Sequence, residues 1–258
     1  MTKWCDRATV HQLQPGLSSD VIGGWWYPQD AQVDNRALTT ALWTAARDAG
    51  VDLWDGVTVE QILHQQQLVS GIQTSVGTVQ AGHYILTTGA WSQAVLEIPV
   101  FPQKGQMLSV QIPVDTVPLL PLQHVLFGDI YLIPRRHGQI VIGATSENAG
   151  FASDNTPMGV HSLLSRAMRL FPALQEFPIQ ELWWGFRPNT PDELPILGSS
   201  PYDNLTLATG HHRNGILLAP VTAEIITNWV TTHTADPLLT HFHWSRFSNH
   251  FERDGVVG

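Results

Sequence analysis

Arg213 and Asn214 sit in a turn bounded by Gly210 and Gly215, preceded by His211 and His212, between a buried-looking apolar run and a helical one. Polar and cationic residues in such a place suit one task, the holding of an anion. A strand that passes through a glycine turn into a helix aims free N–H groups and the positive end of the helix dipole at one spot. The competing reading is a β-to-α corner whose glycines serve packing only. A second arginine, Arg187, follows Trp183-Trp184-Gly185-Phe186 and precedes the stiff Pro188-Asn189-Thr190-Pro191-Asp192. Its planar five-donor fork matches a carboxylate, although an arginine after an apolar strand also serves structural salt bridges. Tyr131, in DIYLIPR, offers a hydroxyl to a ligand or else packs at a sheet face.

The elements that must position these residues are legible in part. Leu205, Leu207 and Ala208-Thr209-Gly210 read as a buried strand ending in backbone that something approaches closely. Val221, Ile225, Ile226, Trp229 and Val230 recur at helical spacing, and Pro220 is tolerable only near the start of that helix. Asp34-Asn35 reads as a cap for a helix carrying Leu38, Leu42, Ala45, Ala46 and Ala49, which Gly50 closes. Val51 and Leu53 are expected as a short strand, and Val57 to Ile62 as the next. A β-meander follows, then an apolar strand over Tyr84 to Thr88 that stops at Gly89-Ala90-Trp91-Ser92. Met107 to Ala144 is strand-rich, with a hairpin joining Tyr131-Leu132-Ile133 to Gln139-Ile140-Val141-Ile142. Arg135 and Arg136 flank its turn and read as solvated charge. A helix is expected from about Gly159 to Phe171. His241 and His243 alternate with Phe242 and Trp244, as in a strand or extended tail.

Composition bounds the function. A chain of 258 residues, 43% hydrophobic and 14% charged, is globular and suits one large or two small domains. A net charge of −9 argues against a nucleic-acid partner, which needs a basic face. With Cys5 as the one cysteine, no intrachain disulfide forms, and no Cys/His set has zinc spacing. No apolar run is long enough to span a bilayer, so no membrane partner is expected and cytoplasm is the expected compartment.

The run GHHRNGILLAP resembles the C-terminal flavin-binding segment of the glycine oxidase and D-amino-acid oxidase family of FAD enzymes. The same family's Arg-Pro-x-Thr-x-Asp-x-x-Pro-x-x-Gly is matched from Arg187 to Gly198, and Gln103-Lys104-Gly105-Gln106 resembles its entry to the substrate-domain sheet. The resemblance implies an α/β (α+β) fold, with an incomplete Rossmann-like FAD-binding lobe and a mixed or antiparallel-sheet substrate lobe of the D-amino-acid oxidase type. Its spans are a substrate-lobe lead-in (1–29), a remnant of the FAD lobe (30–98), the substrate lobe (99–183), the FAD-lobe return with the flavin helix (184–235) and a tail (236–258). The implied cofactor is FAD, contacted by Val59, Gly89, Trp91, Gly210, His211, His212, Arg213, Asn214, Gly215, Ile216 and Leu217. The implied substrate residues are Arg187 and Tyr131 on the carboxylate, and Arg213 near both substrate and flavin. Family members oxidise the amine of a small amino acid to an imine, which hydrolyses to oxoacid and ammonia, while dioxygen becomes peroxide. The flavin carries this chemistry, so no side chain is catalytic in the strict sense. Glycine and dioxygen are the implied partners, and thiamine thiazole synthesis is the implied use of the product.

The family opens with a βαβ unit carrying Gly-x-Gly-x-x-Gly, and no Gly-x-Gly occurs in this sequence. An N-terminally incomplete oxidase is therefore expected, with a homo-oligomer or the missing N-terminal FAD-binding segment as its macromolecular partner. Loss of that unit is expected to expose apolar neighbours such as the Tyr84–Thr88 strand. Two other readings stand beside it. One is a sarcosine-type N-demethylating oxidase, for which Cys5 lies outside any matching flavin-attachment motif. The other is a flavin-less binding or assembly module.

Overall fold

The structure is a computed structural model that describes residues 1–113 and 122–247. Residues 114–121 of the strand-rich stretch and 248–258 of the expected tail lie outside the described residues. In chain order the elements are β1 (Lys3–Asp6), α1 (Arg7–Leu13), β2 (Gly23–Trp26), α2 (Asn35–Asp48), β3 (Val59–Gln65), β4 (Leu68–Thr74), β5 (Gly77–Val79) and β6 (Tyr84–Leu86). Then come α3 (Ser92–Val95), β7 (Phe101–Gln111), β8 (Leu126–Phe127), β9 (Tyr131–Pro134), β10 (Gln139–Gly143), α4 (Pro157–Leu170) and β11 (Ile179–Asn189). The last are β12 (Ile196–Ser199), β13 (Leu205–Thr209), α5 (Gly215–Thr232) and α6 (Leu238–His241). This is the mixed α/β composition expected, and it divides into two compact units, 1–38 with 104–185 and 39–103 with 186–258.

The first unit is built on a five-stranded sheet in the order β11-β7-β10-β9-β8. Register sets Leu108, Ile142 and Leu132 in one row across three strands, with Val110 beside Ile140 in the next. A period of two puts these side chains on one face, where Leu163, Ala167 and Phe171, on and just beyond α4, cover them. Thr156 caps α4 by accepting from the Gly159 N–H, and Pro157 occupies its first turn.

Beside this core lies a polar cluster that the sequence does not announce. Lys104 is 1% exposed, with Nζ 2.7 Å from Asp154 Oδ1 and 3.9 Å from Glu147 Oε2. Gln106, fully buried, donates to Glu147 Oε1 and Thr156 Oγ1 and accepts from the Thr156 N–H. The Thr145 hydroxyl donates to Glu147 as well. A buried ammonium is tolerated only because carboxylates meet it.

The second unit holds a three-stranded sheet in the order β12-β13-β6, with β13 parallel to β6 and antiparallel to β12. Alternation along these strands sorts the side chains. Ile196, Leu205, Leu207 and Leu86 pack on one face with Ile62 and Val69 of the β3-β4-β5 meander. Leu197 and Ala208 point to the other face, against Ile225 and Ile226 of α5. β6 is an edge strand of this sheet, with Ile85 47% exposed and Leu86 buried.

Four expectations need correction. Val51 and Leu53 form no strand, because α2 ends in a Schellman motif: Gly50, at φ 84°, donates to Arg47 O and Val51 donates to Ala46 O. The Val51 N–H is thus already used. Residues 238–247 are helical turns where an extended tail was expected, with Asp236 Oδ1 accepting from the Leu238 N–H. Arg135 is not a solvated turn charge; it donates to Gln32 Oε1 and Val33 O. Arg187 lies within β11, which runs on to Asn189. Among the described residues no helix is long and apolar enough to cross a membrane.

Replacing Lys104 with alanine removes the buried ammonium that meets Asp154 and Glu147 and is expected to cost about 2–4 kcal/mol. Lys104→Met, which fills the same volume without charge, is expected to cost less than half as much. Urea denaturation of the two variants checks this.

Candidate active site

The site is built from the second unit. β13 ends at Thr209, and the chain turns at Gly210 (φ 77°) into a single 3-10 turn, His212–Asn214, that leads into α5. A Cβ added at Gly210 would stand 2.8 Å from Thr190 Cγ2, so the close approach expected there is made by the chain itself. β6, parallel to β13, ends at Leu86, and three residues on stands Gly89, which also has a left-handed backbone (φ 55°). Here, among the described residues, an added Cβ would meet nothing within 4 Å. The backbone at Gly89 faces open space.

The two strand ends are fastened by hydroxyls. Ser92 Oγ lies 2.7 Å from Thr209 Oγ1 and donates to Gly89 O at 2.7 Å. Thr88 Oγ1 donates to Ser92 Oγ at 3.0 Å. Ser92 is wholly buried and Thr209 nearly so, which makes each of these bonds costly to lose. This bridge was not read from the sequence, where Ser92 is merely a small polar residue after a tryptophan.

Asn214 stands at the N-cap of α5 without a side-chain bond to the helix. The first-turn N–H groups of Gly215, Ile216 and Leu217 thus lack a side-chain cap at the positive end of an 18-residue helix. Ile216 and Leu217 are themselves exposed. Along the helix, Gly215, Ala219, Thr222, Ala223, Ile226 and Thr227 form a face of mostly small residues. With Ile85, Thr87, Ala208 and His211 this face lines a groove of ≈ 350 Å³. Pro220 is the sixth residue of the helix, so the Ile216 carbonyl loses its ordinary helical donor one turn in.

His211 turns back on its own helix, with Nε2 3.0 Å from Thr222 Oγ1, and burial holds its imidazole below the ordinary value. His212, at φ 49°, points its ring towards Glu193, with Nδ1 3.9 Å from Oε2. Burial holds His212 low as well; Glu193 opposes this, while Arg187 and Arg213 add to it. The charges of Arg187 in β11 and Arg213 in the turn thus both bear on His212. Arg213 and Asn214 are exposed, and Arg187 is half-buried. Trp91 is 54% exposed and meets Phe186 edge-on at 5.9 Å between centroids. Val59 heads β3, opposite Thr74, in the meander sheet. Tyr131 belongs to the first unit, where its hydroxyl donates to Met107 Sδ at 3.5 Å.

Two residues escaped the sequence reading. Glu193, left-handed at φ 60°, sits inside the matched motif at a position the motif leaves open. Asn189 is buried, and among the described residues its Oδ1 has no donor. A left-handed residue other than glycine carries no sequence signal, and an orphaned acceptor is visible only in three dimensions.

The family described as FAD dependent oxidoreductase matches residues 1–229. The bifunctional protein ThiO/ThiG of Trichormus variabilis is 60% identical over 245 residues, which are 95% of this chain and 37% of that protein. The chain therefore spans little more than a third of that relative's length. Glycine oxidase from Geobacillus kaustophilus superposes with a TM-score of 0.86 at 32% identity, covering 95% of this chain and 67% of that one. Glycine oxidase from Bacillus cereus gives a TM-score of 0.86 at 30% identity, covering 93% and 67%.

The open backbone at Gly89, the α5 N-terminus without a side-chain cap and the small-residue groove suit a flat group that ends in hydrogen-bond acceptors and gathers negative charge. A flavin ring system is such a group, so the residues present fit it.

Gly210→Ala must both strain a left-handed backbone and displace Thr190, and is expected to lose about 1–3 kcal/mol by urea denaturation. His211, His212 and His243 all have folded-state values below the unfolded one of 6.5, each chiefly through burial. The neutral rings contribute fully above that value, and the contribution is lost as pH falls through the folded-state values. The urea midpoint is expected to be flat from about pH 8 to about pH 7 and to drop below about pH 6.5. A midpoint that stays level down to about pH 5.5 would refute it.

Proposed function

Because the chain belongs to the FAD dependent oxidoreductase family, we propose that it is the larger part of a glycine oxidase-like enzyme, one that oxidises the amine of glycine or another small amino acid with dioxygen. The observation that carries this reading is the small-residue groove that runs to an α5 N-terminus without a side-chain cap. FAD, when bound, accepts the two electrons of amine oxidation and passes them to dioxygen. The protein's part is orientation and electrostatics.

In this reading the N–H groups of Gly215, Ile216 and Leu217 stabilise negative charge at the pyrimidine end of the ring, and the helix dipole supports them. Gly89, with no side chain on its open face, lets backbone approach the cofactor, and Trp91 stands beside it. Gly210, His211, His212, Arg213 and Asn214 complete the cradle. Val59 contributes backbone groups toward the adenine side. Arg187 pairs bidentately with the substrate carboxylate and so fixes which way the α-carbon faces. Arg213 adds positive potential for both substrate and ring. Tyr131, as donor to the same carboxylate, rests on the family resemblance. We read β6, β13 and α5 as part of an incomplete Rossmann-like FAD lobe, and the β7–β11 sheet as the substrate lobe. The similarity to ThiO/ThiG supports a role in making the thiazole of thiamine.

The first test is the visible absorbance of the 258-residue chain after incubation with FAD and desalting. Retained flavin bands that bleach on anaerobic addition of glycine are expected. A colourless, cooperatively folded protein would count against the reading for this chain. Arg187→Ala is expected to retain the bands and to require about 10- to 100-fold more glycine for half-bleaching, the worth of a charged hydrogen-bonded pair.

A further inference from the structure

His212 has surroundings unlike those of the other imidazoles in its unit. Its backbone is left-handed, as is that of Glu193 opposite, a conformation costly for any residue with a Cβ. The fold nevertheless sets these two residues face to face. The His212 side chain is 10% exposed, whereas that of Glu193 is 60% exposed. Among the described residues the charges that bear on His212 are Glu193 in the loop after β11, with Oε2 3.9 Å from Nδ1, Arg187 of β11 and Arg213 of the same turn. Asp192, next to Glu193, is committed to Arg246 at 2.8 Å, and His211 to Thr222.

The imidazole thus lies among two fixed positive charges and one negative one. An anion seated on Arg187 would cancel one of the positive charges and tilt the local field toward a protonated ring. We propose that His212 is a positioning residue of the carboxylate site, taking up a proton as an amino-acid carboxylate pairs with Arg187, with Glu193 setting how readily it does so. This rests on the reading of Arg187 as the carboxylate partner. Protonated His212 then adds positive charge to the field around the loaded carboxylate, from a side chain that is 10% exposed between turn and loop.

The sign follows from linkage. Carboxylate affinity is highest below the imidazole value of the free protein and falls as pH rises through the interval between free and loaded values. Above the loaded value it is low and constant. Each unit between the two values corresponds to about tenfold in affinity.

The test uses glycolate, a carboxylate without an amine, added to the 258-residue chain and followed by the imidazole resonances of His212. From about pH 8 to about pH 5.5, glycolate Kd is expected to tighten roughly three- to tenfold, and the His212 midpoint to move up when glycolate is present. His212→Gln is expected to flatten the pH dependence. Glu193→Gln removes the charge that favours the proton and is expected to keep the dependence but shift it to lower pH. Arg187-dependent glycolate binding with the same Kd at both ends, or an unmoved His212 midpoint, overturns the proposal. Glycolate that binds neither the native chain nor Arg187→Ala overturns the Arg187 reading, and this inference with it.

Discussion

The buried hydroxyl of Ser92 is the constraint on which the site depends. It joins Thr209, at the end of β13, to the carbonyl of Gly89, three residues beyond β6. Parallel strands share no tight turn, so nothing local fixes how their ends are staggered. The Ser92–Thr209 bridge does this with two hydroxyls in the interior, where an unmet polar group is expensive. Once the ends are level, the open backbone at Gly89 and the turn into α5 stand side by side. The groove then follows from the small residues along α5 and from Ile85 on the outer strand.

A second constraint acts at the turn. Gly210 is glycine because Thr190 occupies the space its side chain would need, and Thr190 is in turn held by hydrogen bonds to Asp192 and Leu194 O. Asp192 is anchored by Arg246 of the turn at residues 244–247, which steadies the loop after β11 where Thr190 packs against Gly210. That packing sets Glu193 opposite His212 and holds both in left-handed conformations. The strain is sustained by packing on two sides, the usual condition for such residues to persist.

What was legible in the sequence was what local chemistry decides. Asp34 and Gly50 delimited α2 because a cap and a left-handed closing residue are written in residue types. The run from Leu205 through Gly215 to Val230 gave strand, turn and helix because the hydrophobic period changes there from two to about 3.6 residues. The candidate site was legible to the extent that its cationic residues lie in such local patterns. The rest was not, because it depends on partners far apart in the chain. Ser92 and Thr209 are separated by 117 positions, and Lys104 and Asp154 by 50. Val51 was misread because its apolar side chain suggested a strand, while its N–H was already engaged in closing α2. The tail was misread because alternation over four residues, His241 to Trp244, fits a strand and a pair of short helical turns equally well.

The burial of Lys104 has a practical corollary. The chain has only two lysines, Lys3 and Lys104, and in the folded protein only Lys3 is exposed. Amine-directed reagents therefore meet the Lys3 side chain and leave that of Lys104 untouched. Coupling to a surface or a dye would attach the molecule in nearly one orientation. Any later appearance of label at Lys104 would report that the first unit had opened, so a single lysine serves as an internal clock for its unfolding.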